Sequence, residues 1–461
     1  MFHLCSIARL FASGTHLRRR PKRALLLFGA GASIEYGSPS TKKLTEATER
    51  AITADEWMQH TGGDKAFAQI KSDLEKFFHQ PEPVNFEHIY HCARELIFMF
   101  EPSPGAFDEF RPKLYPFLDR KVGFSKEALQ ALAKKIVEVI FTKVADSCKK
   151  NSKSLDPLTK FIGELRNRYV TRIYTTNYDD FPLQAAPDLY TGFEQAPSAK
   201  PKKFQLDEFW SKTDIDSLFH LHGSVHMGFP PPSPGSDFFG ELFWFDNRDE
   251  ALRHSSYSGG EFRRMDGASV PPTAIVTGLD KLSALQQRPL SHYYSVMARD
   301  VMLADVIYVI GSGLGDLHLN MWLREARPRK PLPPILFVDY WKGDFLKHVT
   351  DDDELKGMEM LHALKIRIGG DYGGTKIGTA WTLSKGRTAA VWDKGFQAFL
   401  NAPGELQQVR LLAFEDAVDV ARRSPILIGR IRPVGDQAAA GDEVADRVDR
   451  RQPVPSRKHG D

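Results

Sequence analysis

Four stretches of the chain share one pattern, a short apolar segment that ends in glycine or polar residues. They cover residues 25–33, 173–180, 218–224 and 305–316. A short apolar run of this kind is typical of a strand that is buried on both faces of a parallel sheet. Because the carboxyl ends of parallel strands meet at one edge of the sheet, where ligands bind, the pattern predicts a single site built from four strand ends.

The segments between these runs predict helices and loops. Two stretches carry apolar residues at the i, i+3, i+4 and i+7 spacing of an amphipathic helix. They are Phe86, Ile89, Tyr90, Ala93, Leu96 and Ile97, and Leu129, Leu132, Ala133, Ile136, Val137 and Ile140. We predict the α/β class, a Rossmann-like parallel sheet with helices on both faces, with an inserted helical lobe at about 50–165. A loop-rich second insertion with a short hairpin is predicted at about 187–272, because this segment is rich in proline, glycine and aromatic residues.

The rest of the chain completes the predicted organisation. Residues 275–277 are predicted as a strand with Lys281 at its tip, a weak candidate for a phosphate contact, and residues 335–340 as another strand. Residues 1–23 are predicted as a basic, disordered tail, 24–385 as the ligand-binding domain, 386–432 as a helical extension and 433–461 as a disordered tail. One helix of the extension is expected near Trp392 and Phe396.

The turn after the first strand, GAGAS at residues 29–33, has the composition of a phosphate-binding loop. Gly29 and Gly31 are expected to adopt positive φ and to let the backbone approach an anion, while Ala30 adds little bulk. A helix with Ser40 or Thr41 as its N-cap is expected to follow and to add its positive end. The turn therefore predicts a nucleotide site, with a purely geometric use of glycine as the alternative.

Two common nucleotide chemistries lose support because the first turn lacks their residues. The dehydrogenase fingerprint needs a third glycine three positions after the second, and Ile34 holds that position. A Walker loop needs Gly-Lys-Ser or Gly-Lys-Thr, which the turn does not contain. Hydride transfer and P-loop hydrolysis are therefore disfavoured.

In their order along the chain, the four strand ends resemble the motifs of the sirtuins, and especially of the sirtuin-like NAD-consuming proteins of bacteria. The first loop of that family reads GAGxS followed by GxP. This chain has Gly29, Ala30, Gly31, Ser33, Gly37 and Pro39 at the same spacing. The TxNxD motif of the family is similar to residues 175–179, and its His-Gly pair is similar to His222 and Gly223. The late glycine loop corresponds to residues 311–316.

The resemblance implies a set of site residues with NAD as the substrate. Asn177 would lie at the nicotinamide ribose and its water, Asp179 would bind the carboxamide, and His222 would be the base, with the pKa near neutrality that suits this role. The implied cofactor-binding residues are Gly29, Ala30, Gly31, Ser33, Pro39, Thr176, Asp179, Gly223, Gly311, Ser312, Gly313 and Asp316. The loop 311–316 would hold the adenosine half. Capping of a turn by Asn177 and Asp179, and a structural role for His222, are the alternatives.

The chain also departs from the resemblance. Deacylating sirtuins have Asp-Phe-Arg after GxP, where this chain has Ser40, Thr41 and Lys42. They carry a zinc held by two Cys-x-x-Cys pairs, whereas the three cysteines here are far apart, so neither zinc nor another metal is expected. Gly313 stands where relatives usually have a hydroxyl side chain, which weakens one cofactor contact.

Several single residues have two interpretations. Asn85 and Glu87 either cap the first long helix or face the cofactor, and capping is preferred. Trp244 either lines the cleft or lies in the core, which is more common for such an aromatic residue. Cys92 and Cys148 are expected as packed core thiols.

Composition sets outer limits on function. The chain has 461 residues, 42% of them hydrophobic, which is enough for a large core. Its net charge of +3 gives no reason to expect nucleic-acid binding, and no apolar run approaches the roughly 18 residues of a spanning helix, so no membrane association is expected. Few cysteines suit a reducing, cytoplasmic location.

Three functions are compatible with these sequence features. The first is an NAD glycohydrolase that yields nicotinamide and ADP-ribose, which the resemblance implies to be an NAD-depleting effector of antiviral (antiphage) defence. A homo-oligomer or a trigger protein would be its partner. The second is an NAD-dependent protein deacylase, and the third is a non-catalytic sensor of NAD or ADP-ribose.

Overall fold

The structure is a computed structural model that describes residues 21–78, 84–97, 123–231, 240–256, 262–263, 269–270, 272–279, 281, 287–346, 348, 361–366, 374–377, 380–386 and 388–402. The predicted tails lie outside these ranges, apart from residues 21–23. Most of the predicted extension at 386–432 also lies outside them. The division of the chain into domains stays a prediction.

Within the described residues, eight strands form one sheet in the order β10-β11-β12-β9-β8-β1-β2-β3. The strands are β1 Arg23–Phe28, β2 Val170–Thr175, β3 Ser217–His220, β4 Met227–Gly228, β5 Phe243–Trp244, β6 Phe262–Arg263, β7 Ser269–Val270, β8 Val306–Ile310, β9 Ile335–Val338, β10 Gly374–Ile377, β11 Trp381–Ser384 and β12 Ala389–Trp392. Neighbours from β12 to β3 are parallel, and β10 and β11 add an antiparallel edge. The predicted Rossmann-like α/β fold is confirmed.

Helices connect these strands. They are α1 Ala30–Ile34, α2 Thr41–Ala54, α3 Glu56–Thr61, α4 Gly63–Phe78, α5 Phe86–Leu96, α6 Lys126–Lys149, α7 Asp156–Arg166, α8 Phe181–Ala185, α9 Leu206–Ser211, α10 Arg248–Arg253, α11 Leu290–Leu303, α12 Leu317–Glu325 and α13 Phe396–Leu400. Among the described helices, none has the length and apolar character that crossing a membrane requires.

The central strand β1 is buried on both faces, as its sequence predicts. Ala24, Leu26 and Phe28 belong to one hydrophobic core, whereas Leu25 and Leu27 belong to the core on the opposite face. Successive side chains of a strand point to opposite faces. An uninterrupted apolar run is therefore what a strand between two packed layers requires.

Polar side chains fix where the helices beside the site begin. Ser40 is the N-cap of α2, with its Oγ accepting a hydrogen bond from the backbone N–H of Lys43 at 3.3 Å, which confirms one of the two predicted caps. Asn85 caps α5 and accepts from the backbone N–H groups of Glu87 and His88. Such caps satisfy N–H groups that the helix itself leaves without a partner.

Two elements differ from prediction. Residues 275–277 do not form a strand; Ile275 makes only an isolated bridge to Gly223. Trp392 ends strand β12, and the predicted helix begins four residues later at Phe396. In both places a short apolar run does not distinguish strand, helix and crossing segment, because all three are buried.

Candidate functional site

A cavity of about 330 Å³ opens at the carboxyl edge of the sheet, where β1, β2, β3 and β8 end. Its walls are formed by Gly29, Ala30, Ser33, Ser38, Pro39, Thr41, Leu44, Phe86, Glu87, Val144, Thr176, Asn177, Tyr178, Asp179, His222, Lys281, Gly311, Ser312, Gly313, Leu314, Gly315 and Asp316. All four predicted strand ends contribute to it. Of the predicted site residues, only Gly31 and Gly223 are not part of this wall.

The first glycine loop is built differently from the expectation. Gly29 has φ of −110°, and Gly31 lies inside α1, so the prediction of positive φ at these positions is wrong. The N–H of Gly29 donates to the carbonyl of Ile310, and that of Gly31 donates to the carbonyl of Gly311 at 2.8 Å. These two N–H groups therefore bind the neighbouring loop and are not available to an anion.

Small size, rather than positive φ, explains glycine at 29 and 31. A Cβ at position 29 would lie 2.7 Å from the carbonyl oxygen of Gly311, and one at position 31 would lie 2.8 Å from the Cα of Gly311. Positive φ occurs instead at Gly311, at 62°. The two glycine loops thus pack backbone against backbone, and this contact sets the floor of the cavity.

Asn177 is held against the first loop by its amide group. Its Nδ2 donates to the carbonyl of Gly29 at 2.8 Å and to Oγ of Ser33 at 2.7 Å, and its backbone N–H donates to Thr175. Both amide hydrogens are used in these bonds. The remaining polar atom of the side chain, Oδ1, can accept a hydrogen bond from a water or a sugar hydroxyl at the cavity.

Asp179 is fully buried beside this amide. Burial raises the pKa of its carboxyl to about 7, against the lowering effect of a hydrogen bond from Ser33, and the charge of Asp180 raises the pKa further. Ser33 therefore links Asp179 to Asn177. A carboxyl that is neutral below about pH 7 can donate as well as accept a hydrogen bond, which suits a carboxamide partner.

His222 follows β3 and is 2% exposed. Burial lowers the pKa of its imidazole to about 3, against the nearby carboxylate of Asp316, so the expectation of a pKa near neutrality is wrong. Among the described residues, its Nε2 finds no hydrogen-bond partner, and Oδ2 of Asp316 lies 4.0 Å away. The imidazole is therefore neutral at pH 7, and a lone pair or proton is available at the cavity.

Gly223 has a structural function next to His222. Its φ is +84°, and a Cβ there would lie 2.1 Å from the carbonyl oxygen of Ala274. The crossing segment is held by a hydrogen bond from the N–H of Val276 to the carbonyl of His222 at 2.8 Å. Glycine is required because no side chain fits between these two segments.

Three charged residues form a cluster on the wall that faces His222. Lys281 Nζ lies 2.9 Å from Oδ1 of Asp316 and 3.7 Å from Oε1 of Glu87. Burial opposes the charge of Lys281, but the two carboxylates hold its pKa above the ordinary value. Asp316, at the end of the loop 311–316, therefore lies on the side of the cavity that contains the candidate base, and the assignment of the loop to the adenosine half stays a prediction.

The sequence did not assign Glu87 to the site, because capping was preferred. The structure separates the two residues: Asn85 caps α5, and Glu87 turns to the cavity. Burial raises the pKa of Glu87, against the effect of Lys281. The sequence feature that could have identified Glu87 was its position in the first turn of a helix that begins at the edge of the sheet.

A second buried cluster supports the strand end that carries Asn177. Asp180 accepts from Nε2 of His226 at 2.8 Å and from Arg248. Its carboxyl is buried, but His226 and Arg248 hold its pKa well below the ordinary value. Trp244 stacks on His226 with ring centroids 4.7 Å apart and is buried in the core, as preferred. Cys148 is also buried, as expected, whereas Cys92 is only partly buried.

Comparisons with known proteins give structural neighbours only. Neither a scan against protein-family models nor a search of curated proteins finds a match. A search of solved structures finds one described as "Structural Basis for the Mechanism and Regulation of Sir2 Enzymes", with 12% identity, a TM-score of 0.30, and coverage of 75% of this chain and 94% of that chain. A second, "Structure of Sir2Tm bound to a propionylated peptide", has 13% identity, a TM-score of 0.28, and coverage of 76% and 95%. A likeness at this level does not define a reaction, which depends on the residues of the cavity.

Proposed function

We propose that this protein is an NAD glycohydrolase that cleaves the bond between nicotinamide and ribose and passes the ADP-ribosyl group to water. One observation carries the proposal: a buried, neutral imidazole and the free oxygen of a fixed amide, His222 and Asn177, line the same cavity between two glycine loops. A general base and a group that orients water are what this hydrolysis needs. The motif resemblance of the four strand ends supports NAD as the substrate.

The chemistry assigns a separate task to each residue. The C1′–N bond breaks first, nicotinamide leaves with the bonding pair, and the ribose passes through an oxocarbenium-like state. Asn177 accepts a hydrogen bond from the attacking water through Oδ1. His222 takes the proton of that water as the new C1′–O bond forms, and the carboxylate of Asp316, 4.0 Å from Nε2, stabilises the imidazolium that results.

The low pKa of His222 has a consequence for this step. A base with a pKa of about 3 is fully unprotonated at pH 7 but is weak. Because the water attacks a cation-like carbon, it becomes acidic as the bond forms, and a weak base is sufficient. Asp179 contributes in a different place, by hydrogen bonding the carboxamide of the leaving nicotinamide.

Two other functions use the same fold. A deacylase would pass the ADP-ribosyl group to an acyl-lysine oxygen, and a sensor would bind NAD without cleaving it. The departures at Ser40, Thr41 and Lys42, and the absence of Cys-x-x-Cys pairs, favour water as the acceptor. We further propose that the protein depletes NAD in antiviral defence in the cytoplasm, under the control of a homo-oligomer or a trigger protein.

Product analysis separates these functions. The full chain, alone and with candidate triggers, is incubated with NAD, with and without an acetylated peptide, and the products are identified by mass spectrometry. We expect equal amounts of nicotinamide and ADP-ribose, at a rate that the peptide does not change. O-acetyl-ADP-ribose formed in step with nicotinamide would show a deacylase, and NAD that binds but persists under every condition would show a sensor.

A further inference from the structure

Three groups that bind transition metals meet beside the candidate base. His222, Asp316 and His318 each offer a ligand atom, and these atoms lie within 4.8 Å of one another. His222 follows β3, whereas Asp316 and His318 lie at the start of α12. Residues that are close in space but come from two separate parts of the chain form a built cluster rather than a local turn.

Nε2 of His222 is a candidate ligand atom. The His222 side chain is 3% exposed, and within the described part of the chain its Nε2 has no hydrogen-bond partner. A buried polar atom without a partner costs free energy unless something binds it. His222 is part of the cavity wall, and because Nε2 itself is buried, a small movement of the surrounding side chains would let a ligand from the cavity reach it.

Outer contacts hold the other two groups in place. The hydroxyl of Tyr294, on α11, lies 2.9 Å from Nε2 of His318, and Lys281 holds Oδ1 of Asp316 while Oδ2 faces His222. Contacts of this kind orient the ligands of metal sites. The ammonium of Lys281 opposes a cation, but the carboxyl groups of Glu87 and Asp316, 3.7 Å and 2.9 Å from its Nζ, offset that charge.

The donor set selects the class of ion. Two imidazoles and one carboxylate are the protein ligands of three-ligand zinc sites, in which a fourth position stays open. Zinc bonds to nitrogen and oxygen are about 2.0–2.2 Å long, so ligand atoms in a tetrahedral site are about 3.4 Å apart. The cluster must therefore contract by about 1 Å, which the partly exposed side chains of Asp316 and His318 allow.

We propose that His222, Asp316 and His318 form a site for a zinc-class divalent cation, and that the bound cation inhibits NAD cleavage by occupying the lone pair of the base. The binding site stands on the geometry alone, and only the inhibition rests on the proposed function. The open coordination position faces the cavity, so the ion and the attacking water compete for His222.

Metal binding is tested first, without any activity measurement. Zinc is titrated into the full chain by calorimetry, and cobalt(II) is used as a spectroscopic probe of the ligands. We expect one ion per chain, a tetrahedral cobalt spectrum without thiolate bands, and a loss of affinity of more than tenfold in His318→Ala. Tyr294→Phe, which removes only the outer contact, should lose about tenfold. The exposed His60 provides the matched control, because His60→Ala should bind like the wild type.

Inhibition is tested next, with zinc and with its removal by EDTA. We expect zinc to stop nicotinamide release from the wild type, EDTA to restore it, and His318→Ala to keep the activity but lose the sensitivity to zinc. Unchanged zinc affinity in His318→Ala, or thiolate bands in the cobalt spectrum, would overturn the site. Zinc binding that depends on His318 in a protein that never cleaves NAD would uphold the site and overturn the proposed function, so the two failures are distinct.

Discussion

Asn177 has a structural and a chemical task in one side chain. Its amide hydrogens hold the carbonyl of Gly29 and the hydroxyl of Ser33, and its Oδ1 remains for the water. Loss of the side chain therefore affects stability as well as rate. This differs from a residue such as His222, whose imidazole nitrogen Nε2 makes no hydrogen bond in the described structure.

Asn177→Ala should therefore release nicotinamide at least about 10² times more slowly and also lose stability. The carbonyl of Gly29 loses its side-chain donor but keeps the backbone N–H of Ala32, so the variant should lose about 0.5–1.5 kcal/mol, the contribution of one hydrogen bond. Urea unfolding and the rate of nicotinamide release measure the two effects. The control is Asn151→Ala, which removes an exposed amide. Full stability of Asn177→Ala would contradict the structural task.

Asp179 should give the free energy of unfolding a specific pH dependence. Its pKa is about 7 in the folded protein, because it is buried, and 3.8 is its ordinary value. The folded state therefore binds more protons than the unfolded state between about pH 4 and pH 7. The contribution of Asp179 to the free energy of unfolding is therefore lost as the pH rises through that window.

Asp179→Asn removes that dependence. The stability of the variant relative to that of the wild type should rise by about 1–3 kcal/mol from pH 5 to pH 8, because at pH 8 only the wild type must bury a charge at this position. Unfolding in urea at both pH values measures the difference. The same difference between variant and wild type at pH 5 and at pH 8 would show that Asp179 does not titrate in this range.

At the scale of elements, the two glycine loops act as one unit. The N–H groups of Gly29 and Gly31 bind carbonyls at the end of β8, and the Cα of Gly311 fills the space where a side chain on Gly31 would lie. A substitution in the first loop therefore meets protein backbone before it meets a ligand.

Gly31→Ala should lower the melting temperature and weaken NAD binding together. Its Cβ would lie 2.8 Å from the Cα of Gly311, so one loop must shift. Gly163→Ala on α7 is the matched control, because among the described atoms none lies within 4 Å of its added Cβ. That control should gain about 0.5–1 kcal/mol. Equal melting temperatures for both variants would show that the loops are not in contact.

At the scale of the whole molecule, the sequence predicts the parallel strands β1, β2, β3, β8 and β9 but not the strands β10, β11 and β12 of the same sheet. Residues 25–28 are recognisable as a strand because burial on both faces demands an uninterrupted apolar run. The same rule fails at residues 275–277, where the apolar residues are buried in a crossing segment that is bonded to the carbonyl of His222. The local pattern of apolar residues indicates that a segment is buried, but it does not indicate which other segment it bonds to.

The predicted site residues converge because parallel strands end at one edge, which topology dictates. Glu87, Lys281 and Asp316 were each singled out separately, but their contacts with one another were not predictable, since the three residues come from three separate segments. The pKa of His222 was missed for a related reason. It depends on how completely the insertions cover the imidazole, and that is a property of the assembled fold.

The most direct test of NAD hydrolysis at this cavity is the rate of nicotinamide release from NAD, without peptide, for the wild type, His222→Ala and His60→Ala. Loss of a positioned base costs a factor of about 10² to 10⁴ in rate, so His222→Ala should fall by that factor while it keeps the wild-type melting temperature. His60→Ala, which alters an exposed imidazole, should match the wild type. Release by His222→Ala at the wild-type rate would contradict the assignment of His222 as the base.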